Sequence, residues 1–284
     1  MLLIPTVRRM QATSRSWQKK GLTVGLVPTM GYLHEGHLAL IKRARNDCDR
    51  VIVSIFVNPL QFGPAEDFER YPRDLKKDRG LCLKAGADAL FVPLSKEMYP
   101  ADFQTYVEVE KVSQGLEGAA RPGHFRGVAT VVAKLFNACL PDAAYFGQKD
   151  YQQAALIRQM VADLNFPLKI VVCPTVRETS GLAASSRNSY LGESERREAA
   201  VLYQALLRGA EKWKAKFPPE EVMRIVKDYI KSHSNLEVEY VETSDPKTLL
   251  PAREAGRPAV ISLAARSGKV RLIDNILVGA RLTT

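Results

Sequence analysis

The stretch LTVGLVPTMGYLHEGHLALIKRAR, Leu22–Arg45, joins an apolar run, a polar turn bearing two glycines and a helix-period segment, with no charge break between turn and helix. LTVGLV at 22–27 suits a strand buried on both faces, because such a strand has no need to alternate with polar residues. Strand, tight turn and helix in that order open a βαβ unit, and the chain on either side continues in the same manner. VIVSIFV at 51–57, ADALFVP at 87–93, AAYFG at 143–147 and LKIVVCP at 168–174 read as further strands. Helical patterns lie between them, clearest in HFRGVATVVAKLFNAC and YQQAALIRQMVADL, where apolar residues recur three and four apart. Alternation of this kind predicts an α/β fold: a doubly wound, Rossmann-like parallel sheet wrapped by helices.

After about residue 180 the pattern changes. Two helices rich in Glu, Lys and Arg, at 193–217 and 219–233, precede three strands, LEVEYVET, PAVISLAAR and KVRLIDNILV. RSGK between the last two is a hairpin turn, with Gly268 supplying a positive φ. The chain therefore divides into a Rossmann-like domain at 1–177 and a smaller C-terminal α+β domain at 178–284.

At 284 residues and 46% hydrophobic, the chain can bury the core this architecture needs. The formal charge of +10 favours acidic partners, but basic and acidic residues are interleaved, as in ESERREAAVLYQALLRGAEKWKAKF, which argues against nucleic acid. Cys48, Cys82, Cys139 and Cys173 lie far apart with no CxxC, which excludes a structural zinc site of ordinary spacing and suits reduced thiols in the cytoplasm. The N-terminal apolar run is too short for a signal peptide, and no segment approaches the roughly 20 apolar residues of a membrane span.

In a doubly wound sheet ligands bind beyond the carboxyl ends of the strands, and PTMGYLHEGH sits at such an end. Gly31 permits a tight turn, Gly36 lets a ligand approach the backbone, and the following helix offers unpaired N–H groups. His34 and His37, three apart on the first turn, can face the same way over that anion site. A capped helix start with a half-buried second histidine accounts for the pair equally well when it is taken alone. FGQKDYQQ at 146–153 follows a second strand and opens a second helix, placing Lys149 to meet a phosphate and Asp150 to accept from ribose hydroxyls. SGLAASSRNSYLG at 180–192 offers Ser185, Ser186 and Arg187 as a flexible anion clamp at the junction of the two domains. Asn58 and Gln61, on the loop after the second strand, are neutral groups able to fix hydroxyls or a carboxylate. EGAARPGHFRGV supplies Arg121, His124 and Arg126 before a helix; a capped helix start with surface arginines is the plainer reading of the three, and for His124 and Arg126 it is preferred to direct catalysis.

VPTMGYLHEGH, VSIFVNPLQFGPAEDFERYPRD, EGAARPGHFRGVATVVAKLFN, YFGQKDYQQ, SSRNSYLG and the terminal RLIDN, in that order, resemble the pantoate–β-alanine ligases, within the adenylyl-transferring superfamily that carries a HIGH-like motif. The resemblance implies a homodimer in which ATP activates pantoate as pantoyl adenylate, pyrophosphate leaves, and the amine of β-alanine then displaces AMP. It implies that the ATP site takes Met30, Gly31, Tyr32, Leu33, His34, Glu35, Gly36 and His37, with His37 as proton donor. The same site would include Gly147, Gln148, Lys149, Asp150, the backbone of Val176, Ala184, Ser185, Ser186 and Arg187. Gln61 and Gln153 would hold pantoate, Gln61 would also meet β-alanine, and Mg2+ would bridge phosphates without a dedicated protein cage. His34 and Lys149 would share the catalytic work, and the smaller domain would close over the site. Two positions depart from the family pattern: Ser180 stands where Asp is common, and Ala184 where Met or Leu is common, which predicts a looser loop. A nucleotide or cofactor adenylyltransferase would share the sheet and the HIGH-like loop, but Gln61, Gln153 and SSRN speak against it. A basic nucleic-acid-binding protein is suggested by charge alone.

Overall fold

The computed structural model describes residues 1–64 and 66–280. Six parallel strands form one sheet: β1 (Leu2–Ile4), β2 (Val24–Thr29), β3 (Arg50–Ile55), β4 (Ala89–Phe91), β5 (Ala143–Gly147) and β6 (Lys169–Cys173), in the spatial order β1-β4-β3-β2-β5-β6. The chain steps outward from β2 through β3 to β4, then returns to place β5 and β6 on the other side of β2. The order reverses between β2 and β5, so the crevice beyond their carboxyl ends is the expected ligand site.

Period-two alternation divides the strands between two cores. Leu26, Ile52, Phe91, Phe146 and Val172 face a core shared with helices α1 (Val7–Gln18), α6 (His124–Cys139) and α7 (Tyr151–Asp163). Val27, Val53, Leu90, Tyr145 and Val171 face a second core with α2 (Glu35–Asp47) and α3 (Leu75–Lys84). Burial on both faces explains why these strands read as continuous apolar runs. Two single turns, α4 (Ser95–Met98) and α5 (Glu117–Ala120), lie in the long connection from β4 to α6.

The C-terminal strands β7 (Glu237–Ser244), β8 (Ala259–Ser267) and β9 (Val270–Val278) form an antiparallel sheet in sequence order. Helices α9 (Val201–Lys214) and α10 (Pro219–His233) cover it, with Trp213, Val226, Ile230, Ile261 and Leu263 fully buried between. Gly268 turns the β8–β9 hairpin at φ 55°, as the sequence predicts. The helix expected at 193–217 is divided at Ala200 into α8 (Glu193–Ala199) and α9, where the Ala200 N–H bonds three residues back to Arg197. β1 and α1 were not expected. A three-residue edge strand is too short to show a period, and α1 buries only Met10 and Ser14 completely.

Candidate active site

The turn after β2 is built around a buried carboxylate. Gly31 and Tyr32 both take positive φ, 84° and 51°. That left-handed pair is held by Asp78 of α3, whose two oxygens accept the N–H groups of Tyr32 and Leu33 at 2.8 Å each. Burial raises the Asp78 pKa against the lowering effect of those two bonds. His34 then caps α2: its Nδ1 accepts the Gly36 N–H at 3.1 Å, while His37 Nδ1 accepts the His34 N–H at 3.3 Å. This is a capping box made with imidazoles. A side chain at position 36 would start 2.8 Å from His34 Cε1, so only glycine admits the cap.

The helix-cap and ligand-site readings of the histidine pair are thus compatible. With each Nδ1 accepting a backbone hydrogen, a neutral ring carries its proton on Nε2, so each imidazole keeps one N–H donor. The rings lie 4.1 Å apart between centroids and both line the cleft. Burial, then Lys149, lowers the His34 pKa to about 4. Burial, then His34 and Lys149, holds His37 well below 6.5. Both therefore act near neutral pH as uncharged donors. An NMR titration of the His34 imidazole should give a midpoint near pH 4, and a midpoint near 6.5 would contradict this environment. The sign for stability follows: the unfolded chain binds the proton first, so this contribution is intact above pH 6.5 and is lost as pH falls towards 4.

Across the crevice, β5 runs into a 3-10 turn, Gln148–Asp150, that opens α7. Lys149 Nζ lies 3.4 Å from Asp150 Oδ1, with the lysine side chain 19% exposed. Gln153 lines the cleft, whereas Gln152 is turned into the protein, bonding Glu117, Val112 and Gly115 through its carboxamide.

Beyond β3, Asn58 Nδ2 donates to Gln61 Oε1 at 3.0 Å and to the Gly127 carbonyl at 3.1 Å, while Tyr99 Oη donates to Asn58 Oδ1 at 2.8 Å. Gln61 Nε2 rests 3.3 Å from Met30 Sδ. The Gln61 carbonyl receives His124 Nδ1–H at 2.8 Å and Arg121 Nη2 at 3.3 Å, and Arg121 makes a bidentate pair with Glu66. Burial, then Arg121, lowers the His124 pKa to about 4. The expectation of a surface helix start holds for Arg126, which stacks on Tyr106 at 4.1 Å. His124 is instead buried and lines the cleft together with Arg121. The missed signal was the single turn of spacing between them, which lets both reach the same carbonyl.

Ser185, Ser186 and Arg187 also line the cleft, but as a pinned turn rather than a flexible clamp. Ser185 caps the 3-10 segment Ser186–Tyr190 by accepting the Arg187 N–H, and Ser186 Oγ donates to the Tyr32 carbonyl at 3.1 Å. Arg187 lies on Asp67 through Nε at 3.1 Å and Nη2 at 2.9 Å. Asn188 ties the turn to Glu178 and Ala183. Of the two departures from the family pattern, Ala184 lines the cleft while Ser180 is exposed and accepts the Leu182 N–H. The side-chain contacts that tie this turn to the rest of the chain come from residues 186–188.

The resulting cleft has a volume of about 220 Å³. It gathers Met30, His34, Gly36, His37, Gly147, Lys149, Asp150 and Val176 with Ala184, the clamp residues, Gln61 and Gln153. Gly31, Tyr32, Leu33, Glu35 and Gln148 do not line it. The first three shape the turn, Glu35 is exposed at the start of α2, and Gln148 bonds Asn275 of β9. Asp78 escaped sequence reading because it sits in the charge-rich DLKKD, and Asn275, although it ends the RLIDN segment, was given no role because its strand lies far in sequence from the loop that it holds.

A model of the pantoate–β-alanine ligase family matches residues 2–277. The chain belongs to that family. Its similarity to pantothenate synthetases runs along nearly the whole length: 52% identity to that of Heliobacterium modesticaldum over 98% of this chain and 99% of the relative. It is also 52% identical to that of Moorella thermoacetica, with the same coverage. Among solved structures, the pantothenate synthetase of Thermus thermophilus is 48% identical, with a TM-score of 0.91 over 97% of this chain and 99% of that one. A pantoate–β-alanine ligase from Francisella tularensis, described as complexed with β,γ-ATP and β-alanine, is 36% identical with a TM-score of 0.82, covering both chains fully. As a pantoate–β-alanine ligase the chain is an enzyme of pantothenate synthesis.

Proposed function

We propose that the cleft joins pantoate to β-alanine in two steps, first activating pantoate with ATP as pantoyl adenylate, then transferring the acyl group to the amine. The observation that carries this reading is the meeting of two neutral imidazoles and one ammonium at the carboxyl ends of β2 and β5. Such a site suits departing phosphate charge. It does not suit covalent catalysis, since Ser185 and Ser186 hydrogen-bond backbone groups and neither bonds a histidine that could activate it.

A carboxylate is a poor acyl donor until an oxygen is converted to a leaving group. Attack of the pantoate carboxylate on the α-phosphorus forms the mixed anhydride and expels pyrophosphate. The chain's contribution is position and charge complementarity: Lys149 and the two Nε2–H donors meet oxygens whose charge grows in that step. The Val176 backbone holds adenine, Asp150 the ribose, and Ser185, Ser186 and Arg187 the outer phosphates. For Arg187 this requires an exchange or sharing of its contact with Asp67. Gln61 and Gln153 bond pantoate, and Gln61, fixed by Asn58 and by His124 beneath its carbonyl, also lies against β-alanine. In the second step the β-alanine nitrogen attacks the acyl carbon and AMP leaves.

Among the described residues no group of three His, Cys, Asp or Glu side chains could hold a metal ion. A magnesium ion bound chiefly by the substrate phosphates would supply extra charge there, with Asp150 the carboxylate at hand in the cleft. The C-terminal unit, from about residue 178, reaches the cleft through its first loop and closes over bound substrate. Two copies pair as a homodimer in the cytoplasm. No helix among the described residues is long and apolar enough to cross a membrane, and all four cysteines are free and buried, which suits that compartment.

The test is a panel of complete and singly depleted mixtures with pantothenate, AMP and pyrophosphate quantified. All three products in equal amounts, and none of pantothenate without pantoate, ATP or β-alanine, is the expected result. Formation of ADP in place of AMP would overturn it.

A further inference from the structure

The dipeptide Asp274–Asn275 on β9 belongs to the C-terminal sheet, yet it is bonded to two segments that border the cleft. Asn275 is 3% exposed. Its Nδ2 donates to the carbonyls of Gln148 at 3.0 Å and Lys149 at 2.8 Å, and Oδ1 accepts from Gln148 Nε2 at 3.4 Å. Two carbonyl acceptors require the NH2 end of the carboxamide, which fixes the orientation of the Asn275 amide. The turn it grips has no side-chain cap of its own, either at Gly147 or at the start of α7. Asp274, itself buried, orients the same strand by accepting the Asn275 N–H at 2.8 Å and a bidentate contact from Arg177 at 2.6 and 2.9 Å. Arg177 follows Val176 directly and stacks on Tyr203, 3.7 Å from the ring centre.

We propose that Asn275 is a positioning residue for Lys149: by fixing the carbonyls of Gln148 and Lys149 it sets the peptide planes from which the lysine side chain departs, and so where the ammonium sits in the cleft. The two units are thereby joined at the reacting end of the nucleotide site, since the C-terminal sheet carries the residue that aims a cation of the Rossmann-like sheet. A misplacement of even about an ångström in such a group is costly to rate. The proposal rests on the reading of Lys149 as a phosphate-binding group.

A double-mutant cycle separates positioning from general support. Single-turnover formation of pantoyl adenylate is measured for the unaltered chain, Asn275→Ala, Lys149→Ala and the double variant. Asn275→Ala should slow the step at least about fivefold when Lys149 is present and less than about twofold when it is absent, because a misaimed side chain that has been removed cannot be misaimed further. Asn275→Ser, which keeps one donor, should fall between. Equal fold losses in both lysine backgrounds, or no loss in either, would overturn the proposal. If Asn275→Ala does not fold, the same cycle is read with Asn275→Ser. Failure of both to fold would overturn it in favour of a purely structural asparagine. An undiminished rate in Lys149→Ala would remove the underlying reading of the lysine, whereas a slow Lys149→Ala with an additive cycle would remove only the role of Asn275.

Discussion

Lys149→Ala lowers turnover by about 10², a transition-state loss of roughly 2.7 kcal/mol, while the folded state keeps its stability to within about 1 kcal/mol. The lysine lies in a three-residue turn at the carboxyl end of β5, its ammonium 3.4 Å from Asp150, and in the proposed mechanism it faces the oxygens on which charge builds as pyrophosphate leaves. Its side chain is only 19% exposed, so a melting measurement is what separates lost charge from lost packing. The loss belongs to adenylate formation, because that step alone expels pyrophosphate. Rapid-quench measurement of the adenylate checks the rate and thermal unfolding checks the fold. Near-normal adenylate formation, or a collapse in melting temperature, would contradict the assignment.

His37→Gln slows adenylate formation at least about tenfold, roughly 1.4 kcal/mol, and affects the second step less. The substitution separates the two functions of this histidine. Gln is a residue that a capping box ordinarily uses at this helix position, so its Oε1 can replace Nδ1 as acceptor for the His34 N–H and leave α2 capped. Gln keeps an N–H donor of its own, but the carboxamide is shorter than the imidazole, so with Oε1 on the His34 N–H its NH2 cannot reach the position of the ring Nε2–H, which burial keeps on an uncharged imidazole at neutral pH. Circular dichroism and melting should be unchanged. Equal slowing of both steps would point to misplaced nucleotide, and no slowing would confine His37 to its cap.

The sequence carried the sheet and its ligand end legibly, because strands buried on both faces stand out as unbroken apolar runs and each candidate loop follows one of them. The pairing of the loops after β2 and β5 followed from the strand order, a topological property that local patterns imply only as a class. What escaped reading was the support beneath the site. Asp78 holds the Gly31–Tyr32 turn from a charge-rich helix, His124 and Arg121 fix Gln61 through a carbonyl, and Asn275 grips the Lys149 turn from a strand more than a hundred residues away. Such residues act through backbone groups, which leave no trace in side-chain patterning. The partners of the 185–187 segment were hidden for a related reason: Ser186, Arg187 and Asn188 each bond groups that only the folded chain brings near.

In the proposed mechanism an acyl adenylate forms before the amine is needed. Pyrophosphate–ATP isotope exchange with pantoate present and β-alanine absent tests it directly. Exchange should depend strictly on pantoate and be strongly reduced in Lys149→Ala. No exchange in enzyme that makes pantothenate when β-alanine is added, or exchange that proceeds without pantoate, would contradict it.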